Sequence, residues 1–354
     1  MAKKVLIVDD SALVRKQLRE IIETIGFEID IAKNGQEAVD KATNTQYDVI
    51  TMDINMPVMD GIEATRQIMS KKPTAILMIS SLTTADASIT MDALDLGAID
   101  YIAKPGTMNV GRRENSEDIL EKIKTISNIS PRRLKRRTVR PQIRERKTSQ
   151  PVIKDDIPTT SSLDITKVVL IGSSTGGPGL IEQICAAIPL NYKYPVCIVQ
   201  HMPEQFTSAF TQRINNSSSV PVHEAKHNME LLPGNIYIAS GGTHMNFAKK
   251  VSGKIVIRED KNKGDNFFHP SANDMMKSAL KVFDASNIVG VILTGMGDDG
   301  ADAMVDIKSN GGYTLAESEE SATVYGMPKA AYERGGVSQQ LDFMQILKKI
   351  VTLK

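Results

Sequence analysis

Residues 168–184 read VVLIGSSTGGPGLIEQI, an apolar β-branched run that breaks into serines and glycines before a helix-like stretch. The run at 168–171 predicts a buried strand, and the residues from Pro178 onward predict a helix. A turn from strand through loop to helix either cradles a phosphate group or presents a nucleophile. It also indicates an α/β fold built on a parallel sheet.

The loop does not match the common phosphate-binding patterns. A dinucleotide-binding loop needs G-x-G-x-x-G, but the second glycine arrives too late here, and a P-loop needs a lysine that does not follow Gly177. The pattern G-x-S-x-G of nucleophile elbows fits residues 172–176 and would make Ser174 the nucleophile. Many serine- and glycine-rich loops fit that string, so nucleotide binding without catalysis remains an alternative at this point.

Two further strands end in groups that a serine nucleophile needs. The segment 195–206 is a strand ending in Gln200 and His201, and the segment 287–300 is a strand ending in GMGDDG. Such ends converge in a doubly wound sheet, which predicts a triad in the order serine, histidine, acid. Asp298 and Asp299 are rival acids. The alternative is that the serine and the DDG turn only cap the helices that follow them.

The first hundred residues alternate between strand and helix patterns, which predicts a doubly wound parallel sheet. Three carboxylates near the ends of these strands would repel one another unless a hard cation joined them, and Mg²⁺ suits oxygen ligands. A carboxylate can also attack phosphorus and form an acyl phosphate. The predicted strands are 4–10, 47–61, 75–81 and 98–105, and their ends carry Asp9, Asp10, Asp53, Ser80 and Lys104.

Residues 1–128 resemble a response-regulator receiver domain, since DD, DINMPVMDG, ISS and AKP follow one another in that family's order. The resemblance implies a flavodoxin-like (βα)5 fold, bound Mg²⁺ and a chemotaxis histidine kinase as phosphodonor. The roles it implies are Asp53 as phosphoacceptor, Asp10, Asp53 and the Asn55 backbone as Mg²⁺ ligands with Asp9 assisting, and Ser80, Tyr101 and Lys104 as the switch residues.

Residues 164–354 resemble the catalytic domain of chemotaxis protein-glutamate methylesterases. The matching stretches are IGSSTGGP, VQHMP, FFHPSAND, LTGMGDDG and AESEESATVYGMPKAA. The resemblance implies a doubly wound α/β/α domain with a mainly parallel sheet and no cofactor. The roles it implies are Ser174 as nucleophile, His201 as general base, Asp299 as orienting acid, the Met296 N–H as an oxyanion donor, and Thr175, Gly176 and His269 as residues near the substrate.

Together the two resemblances imply hydrolysis of glutamyl γ-methyl esters on methyl-accepting chemotaxis receptors, with release of methanol. Because a glutamine side chain has the same shape, deamidation of receptor glutamines is a second expected activity. Phosphorylation of Asp53 would regulate the reaction, with the unphosphorylated receiver covering the catalytic cleft, and the pathway would be chemotactic adaptation.

The chain of 354 residues is long enough for two domains. Between them, residues 129–163 are rich in proline and basic side chains, and PRRLKRRTVRPQIRERK at 131–147 is either a solvated linker or a nucleic-acid arm. The absence of aromatic residues favours the linker, and no helix-turn-helix pattern supports the rival interpretation of a DNA-binding regulator. With no apolar span or secretory signal, we expect a cytoplasmic protein with no membrane insertion and with Cys185 and Cys197 reduced.

Overall fold

The structure is a computed structural model, and the residues it describes are 2–81, 83–105, 112–130, 134, 165–262 and 268–353. The chain divides into two compact units, residues 1–140 and 141–354. Most of the predicted linker lies outside the described residues, so its bounds stay a prediction. Leu134 is an exception, because it is buried against the core of the first unit, beyond the predicted receiver end at residue 128.

The first unit contains a five-stranded sheet in the order β2-β1-β3-β4-β5, and every described pairing in it is parallel. This is the predicted flavodoxin-like (βα)5 arrangement. The strands are β1 Lys4–Val8, β2 Glu28–Ala32, β3 Val49–Asp53, β4 Ile76–Ser80 and β5 Asp100–Ala103, and the helices are α1 Ala12–Glu23, α2 Gly35–Asn44, α3 Gly61–Lys71, α4 Thr84–Asp95 and α5 Arg112–Ile126.

Short polar side chains cap the N-termini of three helices of this unit. Ser11, Asn34 and Asp60 each accept a hydrogen bond from a backbone N–H of the first helical turn, which satisfies a donor that the helix leaves unpaired. Strands β1 and β3 are neighbours and are almost wholly buried. Their carboxyl ends therefore bring the acids that follow β1 next to the acid that ends β3.

The second unit contains a seven-stranded sheet in the order β14-β13-β12-β6-β7-β9-β8, again with parallel pairings throughout the described residues. Its strands are β6 Val168–Ser173, β7 Val196–Gln200, β8 Val222–Glu224, β9 Ile236–Ile238, β12 Ile288–Ile292, β13 Tyr313–Glu317 and β14 Gln339–Leu341. A separate antiparallel pair is formed by β10 His244–Lys249 and β11 Ile255–Asp260.

Helices follow most strands of this second sheet, as expected for the doubly wound fold that the resemblance implies. They are α6 Pro178–Ala187, α7 Glu204–Ser217, α8 Ala272–Ala279, α9 Ala301–Ser309, α10 Met327–Glu333 and α11 Phe343–Val351. The mainly parallel doubly wound fold is confirmed. Both cysteines are buried and free, as expected. Within the described residues, no helix combines the length and apolar character that a bilayer crossing requires.

Strand β6 lies at the centre of this sheet between β12 and β7. Ser173 on β6 is paired with Gln200 on β7, and Gly172 is paired with Ile292 on β12. The loops that leave these three strands therefore start side by side at one edge of the sheet, where ligand and catalytic sites form in folds of this kind.

Candidate active site

The serine-rich loop after β6 is held by backbone hydrogen bonds. The Ser174 N–H donates to the carbonyl of Thr294 at 3.0 Å, and the Gly177 N–H donates to the Ser174 carbonyl at 2.8 Å. Gly176 has a φ of +81°, and a Cβ there would lie 2.7 Å from Cβ of Thr323. A larger residue at 176 would be strained and crowded, so the glycine is required by the shape of the loop.

The buried side chain of Gln200 joins this loop to the end of β7. Its amide oxygen accepts a hydrogen bond from Ser173 Oγ at 2.7 Å. Its amide nitrogen donates to the carbonyls of Ser174 at 3.0 Å and His201 at 3.2 Å. In addition, the His201 N–H donates to the Ser173 carbonyl at 3.0 Å. The backbones that carry Ser174 and His201 are thereby fixed next to each other.

The structure brings His201 and Asp299 into direct contact, as predicted. Nε2 of His201 lies 2.8 Å from Oδ2 of Asp299, and both side chains are buried. The other ring nitrogen, Nδ1, is also buried and has no hydrogen-bond partner among the described residues. One face of the imidazole is covered by the ring of Phe268, stacked at a centroid distance of 4.0 Å and an angle of 11°. The His201 ring is therefore fixed in orientation, with one nitrogen bound to an acid.

The carboxylate of Asp299 lies at the start of helix α8. It accepts hydrogen bonds from Ser271 Oγ at 2.8 Å, from the Ala272 N–H at 2.6 Å and from the Asn273 N–H at 3.0 Å. Burial alone would raise the pKa of Asp299. The hydrogen bond and charge of His201, together with the two backbone N–H groups, outweigh burial and hold that pKa below its ordinary value. Asp299 is thus kept as a carboxylate.

The neighbouring acid, Asp298, has different surroundings. It is exposed and forms an ion pair with Arg334, which also pairs with Asp302. Helix α9 is preceded by Gly300 in a left-handed conformation and has no side-chain cap. The alternative that the DDG turn caps this helix is therefore wrong, because the Asp299 carboxylate binds the N–H groups of α8 instead.

Backbone N–H groups that could bind the oxyanion of a serine-catalysed reaction lie in the loop 175–177 after β6 and, as the resemblance implies, at Met296 after β12. Gly177 is engaged within its own loop, whereas the N–H groups of Gly176 and Met296 donate to nothing else in the described part of the chain. His269 is half-buried; its ring packs against that of His244 at 4.2 Å, and its Nε2 lies 3.2 Å from the Asp260 carbonyl. His269 thus contacts residues of the antiparallel pair β10–β11.

The acids of the first unit gather at the carboxyl ends of β1 and β3. One oxygen each of Asp9, Asp10 and Asp53 lies within 4.8 Å of the others. Nζ of Lys104 lies 2.8 Å from Oδ2 of Asp53 and 3.4 Å from Oδ2 of Asp9. Burial and the neighbouring Asp9 raise the pKa of Asp53 to about 6, against the effect of Lys104, and burial likewise raises the pKa of Asp9.

This donor set fits a hard divalent cation. Three carboxylates in so small a space repel one another, and oxygen ligands are those that Mg²⁺ prefers. Oδ2 of Asp9 is buried and accepts no hydrogen bond within the described residues, although the Lys104 ammonium is near. Asn55 is exposed on the loop after β3, and its side-chain amide donates to Asp86.

The remaining predicted receiver residues lie on β4 and β5. Ser80 ends β4 and is buried, and its carbonyl accepts the Lys104 N–H at 2.8 Å. Tyr101 on β5 is buried. Its carbonyl accepts a hydrogen bond from Lys122 Nζ at 2.9 Å, and the same ammonium lies 5.7 Å from the centre of the tyrosine ring.

Comparison with known proteins identifies the family. The family model described as CheB methylesterase matches residues 169–350, and that of the response regulator receiver domain matches residues 5–113. The chain is 47% identical to protein-glutamate methylesterase/protein-glutamine glutaminase 2 of Carboxydothermus hydrogenoformans, over 99% of this chain and 98% of that protein. The chain belongs to the CheB methylesterase family.

Two further similarities agree with this family. A protein-glutamate methylesterase/protein-glutamine glutaminase of Caldanaerobacter subterraneus subsp. tengcongensis is 44% identical, over 94% of this chain and 91% of that protein. The solved CheB methylesterase catalytic domain of Thermotoga maritima is 36% identical, with a TM-score of 0.51. The match covers 53% of this chain and 98% of that structure. Two domains of the predicted kinds are thus present in the predicted order.

Sequence reasoning assigned no role to three residues that contact this site. Phe268 stacks on His201, Ser271 donates to Asp299, and Gln200 ties the two loops. The first two lie in FFHPSAND, the stretch that also contains the predicted site residue His269. The sequence does carry one signal for Ser271: a serine before a helical pattern, with an acid three residues later, marks the start of a helix.

Proposed function

We propose that this chain hydrolyses glutamyl γ-methyl esters of methyl-accepting chemotaxis receptors through a triad of Ser174, His201 and Asp299. The observation that carries the proposal is the buried contact between His201 and Asp299 beside the Ser174 loop, in a chain of the CheB methylesterase family. The names of the relatives quoted above support the substrate class.

In the proposed reaction, the hydroxyl of Ser174 attacks the ester carbonyl carbon. Nδ1 of His201 takes the hydroxyl proton, while Asp299, bound to Nε2, fixes the ring and stabilises the imidazolium. The carbonyl oxygen becomes an oxyanion, for which the N–H groups of Met296 and Gly176 are the available donors. Return of the proton to the methoxy oxygen releases methanol and leaves a glutamyl ester on Ser174.

Water completes the cycle. His201 takes a proton from the water as it attacks the glutamyl-enzyme, and returns that proton to the Ser174 oxygen as the acyl bond breaks. A glutamine side chain presents the same carbonyl with ammonia as the leaving group. We therefore include deamidation of receptor glutamines, which agrees with the glutaminase part of the relatives' names.

Regulation is proposed to begin at Asp53. Its carboxylate would attack a phosphoryl group donated by a chemotaxis histidine kinase, and Lys104, whose Nζ lies 2.8 Å from Oδ2 of Asp53, would contact the added oxygens. Asp10, Asp53 and the Asn55 backbone would hold Mg²⁺ with Asp9 assisting, and the bound cation would neutralise charge on the carboxylates and the phosphoryl group. Ser80 and Tyr101 would couple phosphorylation to the exposure of the catalytic cleft, in a cytoplasmic pathway of chemotactic adaptation.

The test measures methanol release from membranes that carry methylated chemotaxis receptors. The wild-type chain is expected to release methanol, and faster with acetyl phosphate and Mg²⁺ than without them. Ser174→Ala is expected to lose at least about 10⁴-fold in rate. Ser173→Ala is the matched control, because its hydroxyl is bound to Gln200, and it should retain measurable release. Equal rates for wild type and Ser174→Ala would refute the proposed nucleophile.

The regulatory part has its own control. Asp53→Asn should be indifferent to acetyl phosphate while keeping the basal rate of the unphosphorylated chain. If Asp53→Asn were stimulated as strongly as wild type, phosphorylation at this residue would not be the regulatory event, although the esterase assignment would stand.

A further inference from the structure

Another acid, Glu317, lies fully buried at the carboxyl end of β13, outside the proposed triad. Oε2 of Glu317 accepts the Thr294 N–H at 2.8 Å, and Oε1 accepts the Ser321 hydroxyl at 2.8 Å. A buried carboxylate is costly unless such donors satisfy it. The side chain is therefore a fixed element of the sheet edge, attached to the backbone of the loop that follows β12.

Thr294 in turn binds the loop that carries the nucleophile. Its carbonyl accepts the Ser174 N–H at 3.0 Å, and its hydroxyl donates to the Thr175 carbonyl at 2.9 Å while accepting the Val324 N–H at 2.9 Å. In the chain, Thr294 is followed by Gly295 and by Met296, a proposed oxyanion donor. A Cβ at Gly295 would lie 2.9 Å from Cβ of Ser174, so the two loops are in close contact.

We infer that Glu317 is a positioning residue for the proposed hydrolysis, acting through Thr294 to set the separation between Ser174 and the Met296 N–H. The inference rests on the proposed function. It concerns the position of two groups: the Ser174 hydroxyl, which forms the new bond, and the Met296 N–H, which stabilises the oxyanion. A displacement of about 1 Å at such a point can lower a rate about 10²-fold.

The structure assigns this role to the acceptor oxygens of Glu317, since both oxygens are bound by uncharged donors. Glu317→Gln keeps a carbonyl oxygen for the Thr294 N–H, and the Ser321 hydroxyl can reverse its bond to accept from the amide. Glu317→Leu keeps comparable volume but provides no acceptor. The two variants therefore separate the loss of the acceptor from the loss of the charge.

The experiment measures kcat and KM for methanol release by the full-length variants on methylated receptor membranes. We expect Glu317→Gln to keep a third or more of the wild-type kcat, and Glu317→Leu to lose about 10²-fold in kcat with little change in KM. Thr294→Val, which removes only the hydroxyl, should lower kcat about tenfold, because the nucleophile loop and the oxyanion donor are again misplaced. Thr314→Val is the matched control, since that buried hydroxyl near the start of β13 binds Ser338 and nothing in the site.

A second readout separates this inference from the proposed function. A fluorophosphonate probe should label Ser174 of the wild type, more slowly in Glu317→Leu and Thr294→Val, and at the wild-type rate in Thr314→Val. A wild type that neither labels nor releases methanol would refute the proposed function. When the wild type is active, the inference would be overturned by a folded Glu317→Leu with the wild-type kcat. It would also be overturned if the kcat of Glu317→Gln were as low as that of Glu317→Leu. Should Glu317→Leu fail to fold, an unchanged kcat in Thr294→Val would overturn it.

Discussion

Nε2 of His201 lies 2.8 Å from Oδ2 of Asp299, whereas the adjacent acid, Asp298, forms an ion pair with Arg334. Two aspartates that the sequence places side by side thus have opposite environments. Asp299 is buried and accepts hydrogen bonds from the start of α8, while Asp298 is exposed in an ion pair at the surface. This difference allows the two acids to be tested as a matched pair.

Asp299→Asn should lower kcat for ester hydrolysis by about 10²- to 10⁴-fold, because an amide in place of the carboxylate can favour the wrong imidazole tautomer and cannot stabilise the imidazolium. Asp298→Asn removes only one partner of an exposed ion pair, and such pairs contribute little. Its kcat should stay within about threefold of wild type. Methanol release by both variants checks the assignment, and a larger loss in Asp298→Asn would reverse it.

The depressed pKa of Asp299 predicts a pH dependence of stability. A carboxyl whose pKa is lower in the folded chain stabilises the fold above its unfolded pKa of about 3.9, and this contribution is lost as pH falls through the folded value. The free energy of unfolding of wild type minus that of Asp299→Asn should therefore shrink as the pH falls below about 4. Urea unfolding of both chains, with exposed Asp306→Asn as control, measures this difference.

Ser271→Ala should affect both stability and activity. The Ser271 hydroxyl caps α8 by accepting the Asp274 N–H, and it donates to Asp299. Loss of a helix cap costs about 1 kcal/mol, and loss of the donor loosens the acid that orients His201. We expect kcat to be about tenfold lower, because His201 is then less well aligned.

Ser278→Ala is the control for this variant. Ser278 lies in the same helix and its hydroxyl is also hydrogen-bonded, to the Met275 carbonyl and the Phe247 N–H, but it does not contact Asp299. It should lose stability without loss of kcat. Equal effects of the two substitutions on kcat would show that Ser271 acts on the fold alone.

The sheet edges were predictable because the evidence for them is local in the sequence. Apolar runs mark β6, β7 and β12, and parallel strands bring their carboxyl ends together, so the sequence alone predicts that Ser174, His201 and Asp299 lie near one another. The acidic cluster of the receiver followed from the same rule. In both units most of the candidate site residues lie at the end of a strand or in the loop that follows it, so the strand pattern fixes their approximate position.

The supporting contacts were not predictable, because they join segments that the strand pattern does not place. Phe268 and Ser271 lie between β11 and α8, and their contacts with His201 and Asp299 join residues far apart in the sequence. The cap of α9 was also not predictable, because the local preference for aspartate at a helix start favours an aspartate of the DDG turn as the cap. Gly300 takes that position with a left-handed backbone, and Asp299 is left to bind a different helix.

Removal of Mg²⁺ should destabilise the wild-type chain but not Asp53→Asn. The pKa of Asp53 is raised to about 6 by burial and by Asp9, so ionising this carboxyl in the folded chain is unfavourable. Stability from this group is present below the unfolded pKa and is lost as pH rises through about 6. At pH 7.5 without a cation, a charged Asp53 repels Asp9, and Lys104 and the Ile54 N–H offset part of that repulsion.

At pH 7.5 in EDTA, the unfolding transition of the first unit should therefore have a higher Tm in Asp53→Asn than in wild type. Added Mg²⁺ should raise the wild-type Tm and change the Tm of the variant much less. Asp40→Asn, an exposed acid on α2, is the control and should respond to Mg²⁺ as wild type does. A wild-type Tm that is indifferent to Mg²⁺ would contradict cation binding by Asp9, Asp10 and Asp53, because a ligand that binds the folded state must stabilise it.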